Sequence, residues 1–81
     1  MARPRIGLDI GATAVRAVEL SMRSSPPSVV RVAEAPLPPG AVSNGEVREP
    51  HAVTDALREL WQRGRFRSRE VMLGVANQRV V

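Results

Sequence analysis

Arg5-Ile6-Gly7-Leu8-Asp9-Ile10-Gly11-Ala12-Thr13-Ala14-Val15-Arg16-Ala17-Val18-Glu19-Leu20 is the stretch from which the fold is read. Ile6, Leu8 and Ile10 recur at every second position, the period of a strand with one apolar face. Gly11-Ala12-Thr13 is a small-residue turn. From Ala14 to Met22 the chain resumes an extended pattern, with Val18 and Leu20 on one face and Val15 and Ala17 on the other. Two such segments joined by a short glycine-containing turn make a hairpin.

Working outward, Ser24-Ser25-Pro26-Pro27-Ser28 reads as a loop, and Val29-Val30-Arg31-Val32-Ala33 as a third strand. The first unit is therefore a three-stranded antiparallel meander. Pro36-Leu37-Pro38-Pro39-Gly40 is a stiff connection, and a subdomain boundary is placed there, giving units 1–38 and 39–81. Val42 to Val47 reads as a short strand interrupted by an Asn44-Gly45 turn or bulge signal. A helix is predicted from about Pro50 to Arg63, with Pro50 at its first position and Gly64 placed to stop it. Glu49 and Asp55 lie near its positive end. Val53, Ala56, Leu57, Leu60 and Trp61 recur at three- and four-residue steps and form one apolar stripe. After the arginine-rich turn 65–69, a strand runs from Glu70 to Ala76. Residues 76–78 turn the chain, and Arg79-Val80-Val81 begins another strand.

The chain has 81 residues, and 43% of them are hydrophobic, which argues against disorder. Without cysteine there is neither a disulfide framework nor a thiolate metal site, and the single His51 removes most other transition-metal constellations. His51 reads as an exposed polar residue. No apolar run approaches the ~20 residues of a membrane-spanning helix. Arg3 and Arg5 do not open a signal peptide, because Asp9 and Arg16 interrupt the apolar stretch beyond them. A cytosolic location is expected. The helix stripe needs a broad sheet to pack on, and a two-residue final strand cannot supply one, so the chain is read as part of a longer protein.

All twelve basic residues are arginine, and the net charge is +4. Arginines 58, 63, 65, 67 and 69 cluster around Phe66, a pattern compatible with an anionic partner. Asp55, Glu59 and Glu70 are interleaved with them, so the cluster is read as a solvated face, with Phe66 packed beside Trp61. Glu19 on the second strand reads equally as a functional carboxylate or as a strand-edge charge.

The chemistry concentrates in Asp9 to Arg16. An acid ends a strand, small residues bring backbone N–H groups within reach of an anion, and a cation stands early on the returning strand. Asp9 suits Mg²⁺ held through water. Gly11, Ala12 and Thr13 suit a phosphate, and Arg16 can neutralise its charge with planar donors. The same spacing also fits a plain hairpin, with Gly11 supplying backbone freedom and Asp9 hydrogen-bonding in the turn.

Residues 6–20, together with Leu37-Pro38-Pro39-Gly40-Ala41-Val42, Asn44-Gly45-Glu46-Val47, the helix and Gly64 to Val81, resemble the start of the PilM family. These are type IV pilus assembly proteins, actin-like and ATP-binding, related to the cell-division protein FtsA. The resemblance implies an incomplete actin-like (ribonuclease H-like) α/β fold. In it, 1–38 opens the actin-like subdomain, and 39–81 begins an inserted strand–helix–strand–strand subdomain. By position, Asp9 matches the acid near the metal, Gly11, Ala12 and Thr13 the first phosphate loop, and Arg16 a nearby basic residue. Ala12 stands where serine is frequent in such proteins, and Arg16 where lysine is common. The implied cofactors are ATP and Mg²⁺ in the full-length protein, with at most weak ATPase activity there. No catalytic residue is assigned, and the 81 residues alone are expected to hydrolyse nothing. The implied partners are the cytoplasmic tail of the membrane protein PilN and other pilus assembly proteins, at the inner face of the cell membrane. Nucleic-acid binding and direct membrane insertion are not expected. Two alternatives stand beside this reading: part of another actin-superfamily phosphotransferase such as a sugar kinase, and a small basic nucleic-acid-binding protein.

Overall fold

A computed structural model of the chain describes residues 5–23 and 25–75. Strand β1 (Arg5–Ile10) pairs antiparallel with β2 (Ala14–Ser21), in the register Leu8↔Ala17, Asp9↔Arg16 and Ile10↔Val15. Strand β3 (Ser28–Pro36) pairs antiparallel with β2 and is longer than its β-branched centre suggests. The extra residues at its end, Glu34 to Pro36, lie opposite Arg16 to Ala14. A register shift between Glu19 and Leu20 marks a bulge in this pair. The meander and its loops follow the sequence pattern.

Proline and glycine chemistry shapes the next stretch. Ala41 N–H donates to the Pro38 carbonyl (3.2 Å), and Gly40 takes φ +82°. Proline at the second position and glycine at the third are what a type II turn requires. Strands β4 (Val42–Ser43) and β5 (Glu46–Val47) form a minimal hairpin around Asn44 (φ 54°) and Gly45 (φ 76°). Two central residues with positive φ define a type I′ turn, whose twist matches that of the strands it joins. The Ala41 carbonyl then accepts from the N–H groups of Arg48 (2.8 Å) and Glu49 (3.2 Å), fastening the hairpin to the start of the helix.

Helix α1 (Pro50–Gly64) has proline in its first turn, as predicted; Glu49 precedes it without a side-chain capping bond. Its termination differs from the prediction. Gly64 is the last helical residue, and the left-handed conformation falls on Arg65 (φ 55°). Arg65 N–H donates to the Gln62 carbonyl and Phe66 N–H to the Trp61 carbonyl, both at 3.3 Å. This is the Schellman pattern, with its usual apolar contact supplied by Trp61 and Phe66 at a centroid distance of 5.2 Å. Glycine is needed at 64 for space, because a Cβ there would overlap the Phe66 ring. Trp61 Nε1 donates to the Ser68 carbonyl (2.9 Å), holding the following segment against the helix.

Strand β6 (Val71–Val75) pairs parallel with β1, giving the sheet order β3-β2-β1-β6. The sequence reading assigns both helix and final strand to a second unit beginning at 39. Among the described residues α1 lies mainly on β3 and β2, and β6 extends the same sheet. The reason is geometric: a strand following a helix returns parallel to the sheet that the helix covers. The predicted turn at 76–78 and the strand at 79–81 lie outside the described residues.

Ile6, Leu8, Val15, Ala17 and Ala35 from the sheet meet Val53, Ala56, Leu60 and Phe66 from the helical side, with Leu37, Ala41 and Val42 closing one end. Leu57 and Trp61 are only partly buried at the margin of this core. The opposite sheet face is open, and Val29, Val32 and Met72 are each more than half exposed on it or at its edge.

Candidate functional site

All five residues singled out from the sequence fall at one end of the sheet, at and below the β1–β2 turn. Gly11 N–H donates to the Ala14 carbonyl at 2.9 Å and closes the turn. A Cβ on Gly11 would stand 3.2 Å from that carbonyl. Gly11 is thus needed for close approach; it does not adopt the left-handed φ that backbone freedom would serve. The Thr13 carbonyl accepts from Leu37 N–H (2.9 Å), so the proline-rich connection fixes the far side of the turn. Ala12 and Thr13 are exposed, and their amides make no hydrogen bond among the described residues. Two free N–H donors beside a tight bend suit an anion.

Below the turn, Asp9, Arg16 and Glu34 lie in register across β1, β2 and β3 on the open sheet face. Arg16 Nε donates to Glu34 Oε2 at 2.9 Å, and both side chains are more than half exposed. This bond and the charge of Glu34 raise the Arg16 pKa above its ordinary value, and the charge of Asp9 adds a smaller push in the same direction. The cation therefore stands between two carboxylates. Sequence reasoning identified Asp9 and Arg16 but missed Glu34. The signal lay in the β2–β3 register, which a loop of unknown pairing between the strands concealed.

Among the described residues, no cluster of three acidic or histidine side chains gathers to hold a metal. A cation here would be shared between Asp9, water and the oxygens of a bound anion, an arrangement Mg²⁺ favours. The residues present fit a magnesium–polyphosphate as one wall of a site.

Several of the remaining polar candidates have structural partners. Glu19 lies on an inner strand, 6% exposed on the helix side of the sheet, and pairs with Arg31 at 3.4 Å. A strand-edge role therefore does not explain it. Arg63 pairs with Glu59, and Arg58 stands 3.9 Å from Asp55, along the helix surface. Phe66 is buried against Trp61 and is not presented for stacking. His51 is exposed at the helix start. A groove of about 600 Å³ runs beside the helix, lined by Leu8, Leu57, Trp61 and Val71 together with Arg58 and Arg69.

A hairpin carrying an acid and a base across from each other, a third antiparallel strand, a helix on one face and a parallel fourth strand compose part of an actin-like α/β fold. The model of the type IV pilus assembly protein PilM family matches residues 7–81, and the chain belongs to that family. Among solved structures, a chain of a "PilM-PilN type IV pilus biogenesis complex" is similar, with 39% identity and a TM-score of 0.74. The similarity covers 85% of this chain and 20% of that one, so the present chain spans about a fifth of its relative's length. The comparison with curated proteins gives no match.

Proposed function

We propose that this chain forms the nucleotide-facing start of an actin-like, ATP-binding scaffold for type IV pilus assembly. The observation that carries the reading is the match over residues 7–81 to the PilM family, on a chain whose β1–β2 turn offers free amides next to Asp9 and Arg16. The amides of Ala12 and Thr13, and the Thr13 hydroxyl, would hold phosphate oxygens. Arg16 would offset their charge, and Asp9 would hold Mg²⁺ through water. Bound magnesium supplies the positive charge that lets a carboxylate and a triphosphate share one site. Residues 1–38 and 39–81 would belong to neighbouring subdomains of the complete protein, with the sheet running between them. No catalytic group is assigned.

A similar solved chain comes from a "PilM-PilN type IV pilus biogenesis complex". A PilN-type cytoplasmic tail is accordingly the proposed partner, which would place the scaffold in the cytoplasm against the inner membrane, with other assembly proteins around it. No helix among the described residues is long and apolar enough to cross a membrane. Titration of MgATP into the full-length protein, wild type and Asp9→Asn, tests the nucleotide reading. Saturable binding weakened by the substitution is expected, and no binding by either would overturn it. Retention of the full-length protein on an immobilised PilN tail tests the partner.

A further inference from the structure

The sequence marks Arg16 as the cation of the phosphate turn, but the fold gives that cation a prior engagement. Its Nε is bonded to Glu34, and Asp9 stands beside it on the other flank. Counting the row across the three strands gives two negative charges and one positive, so within the row Asp9 is left without a cation of its own before any ligand arrives. The row is also anchored. Arg63 Nη1, from the last turn of α1, donates to the Glu34 backbone carbonyl at 3.1 Å, tying β3 to the helix at this position.

We propose that Glu34 is a positioning residue of the β1–β2 turn: it holds Arg16 along the sheet face and makes polyphosphate binding there conditional on a divalent cation. The inference rests on the nucleotide reading above and specifies its selectivity. A polyphosphate without metal meets Asp9 while Arg16 is already balanced by Glu34, and the two free amides must carry most of the hold. A polyphosphate bearing Mg²⁺ brings positive charge to Asp9 and removes that repulsion. The bond to Glu34 uses only Nε, so the two terminal nitrogens of Arg16 remain for phosphate oxygens with the guanidinium already oriented. A neutral residue at 34 would release the full charge of Arg16 to any anion and relax the requirement for metal.

The test uses the full-length protein as wild type, Glu34→Gln and Glu34→Asp, titrated calorimetrically with ATP in magnesium and with ATP in a chelator. The ratio of the two dissociation constants is the readout. Glu34→Gln is expected to reduce the preference for MgATP about fivefold, the scale of one exposed charge pair, and Glu34→Asp to restore it. A second readout needs no nucleotide: the Arg16 Nε–H resonance should be slow to exchange with solvent in the wild type and in Glu34→Asp, and fast in Glu34→Gln. If the wild type binds MgATP but Glu34→Gln leaves the ratio unchanged, or shifts both constants equally, the role of Glu34 is overturned and the nucleotide reading stands. Failure of the wild type to bind MgATP overturns both.

Discussion

Gly64 and Arg65 divide between them two tasks that one glycine performs at many helix ends. Gly64 gives room to the Phe66 ring, whose Cζ and Cδ2 would lie 2.6 and 2.7 Å from an added Cβ. Gly64→Ala must displace a buried ring that also contacts Trp61, and overpacking of this kind costs about 1–3 kcal/mol. A lower thermal midpoint, together with a changed tryptophan fluorescence spectrum, is the expected outcome. Arg65 bears the left-handed φ, which costs an L-residue about 1–2 kcal/mol relative to a comfortable conformation. Arg65→Gly should therefore stabilise the fold by up to about 1 kcal/mol, read as an increased urea midpoint with unchanged slope. These opposite signs at adjacent positions depend on the Schellman geometry. Sequence alone pointed to glycine as the helix stop because it usually takes the left-handed place itself; the return of Phe66 onto Trp61, five residues earlier, reverses the assignment.

Among the elements, helix α1 and the hairpin strands were legible because each carries its own periodicity. Of the stripe, Val53, Ala56 and Leu60 face the core, with Leu57 and Trp61 at its margin, and Leu60 is fully buried. Leu60→Ala should cost about 2–5 kcal/mol by leaving a cavity between helix and sheet, measured by denaturant unfolding. Asn44-Gly45 marked a turn or bulge within one short strand, and the structure resolves it into the β4–β5 hairpin, whose two positive φ values favour that pair. Gly45→Ala is expected to cost about 1 kcal/mol, seen in the same assay, because alanine is strained at φ 76°. What stayed hidden is pairing. Val71 to Val75 is readable as a strand, yet nothing within it says that Leu8 rather than a later segment will be its neighbour. Glu34 was hidden for the same cause: its significance lies in standing opposite Arg16, a relation between two strands and not a property of either.

At the scale of the whole molecule, coverage is uneven. Helix α1 lies over β3 and β2, leaving Leu73 60% exposed on β6 and the groove beside Leu57 and Trp61 uncovered by any described residue. The proposed phosphate site is similarly one-sided: its donors come from β1, β2 and the bend between them, and the chain spans 20% of a similar solved chain. Two backbone amides contribute about 0.5–1.5 kcal/mol each in net terms, while bringing a ligand to a site costs roughly 4 kcal/mol or more in lost freedom. Arg16 adds little surplus because Glu34 already satisfies its Nε and balances its charge. The 81 residues on their own should therefore bind MgATP no more tightly than about millimolar, although the turn is already shaped. Calorimetric titration of the isolated chain beside the full-length protein decides the point. Weak or undetectable heat from the former and saturation by the latter would mean that affinity is supplied by the second wall of the site. Micromolar binding by the isolated chain would mean that this hairpin holds the nucleotide unaided, and the charge row below it would then have to contribute attraction although Glu34 already offsets Arg16.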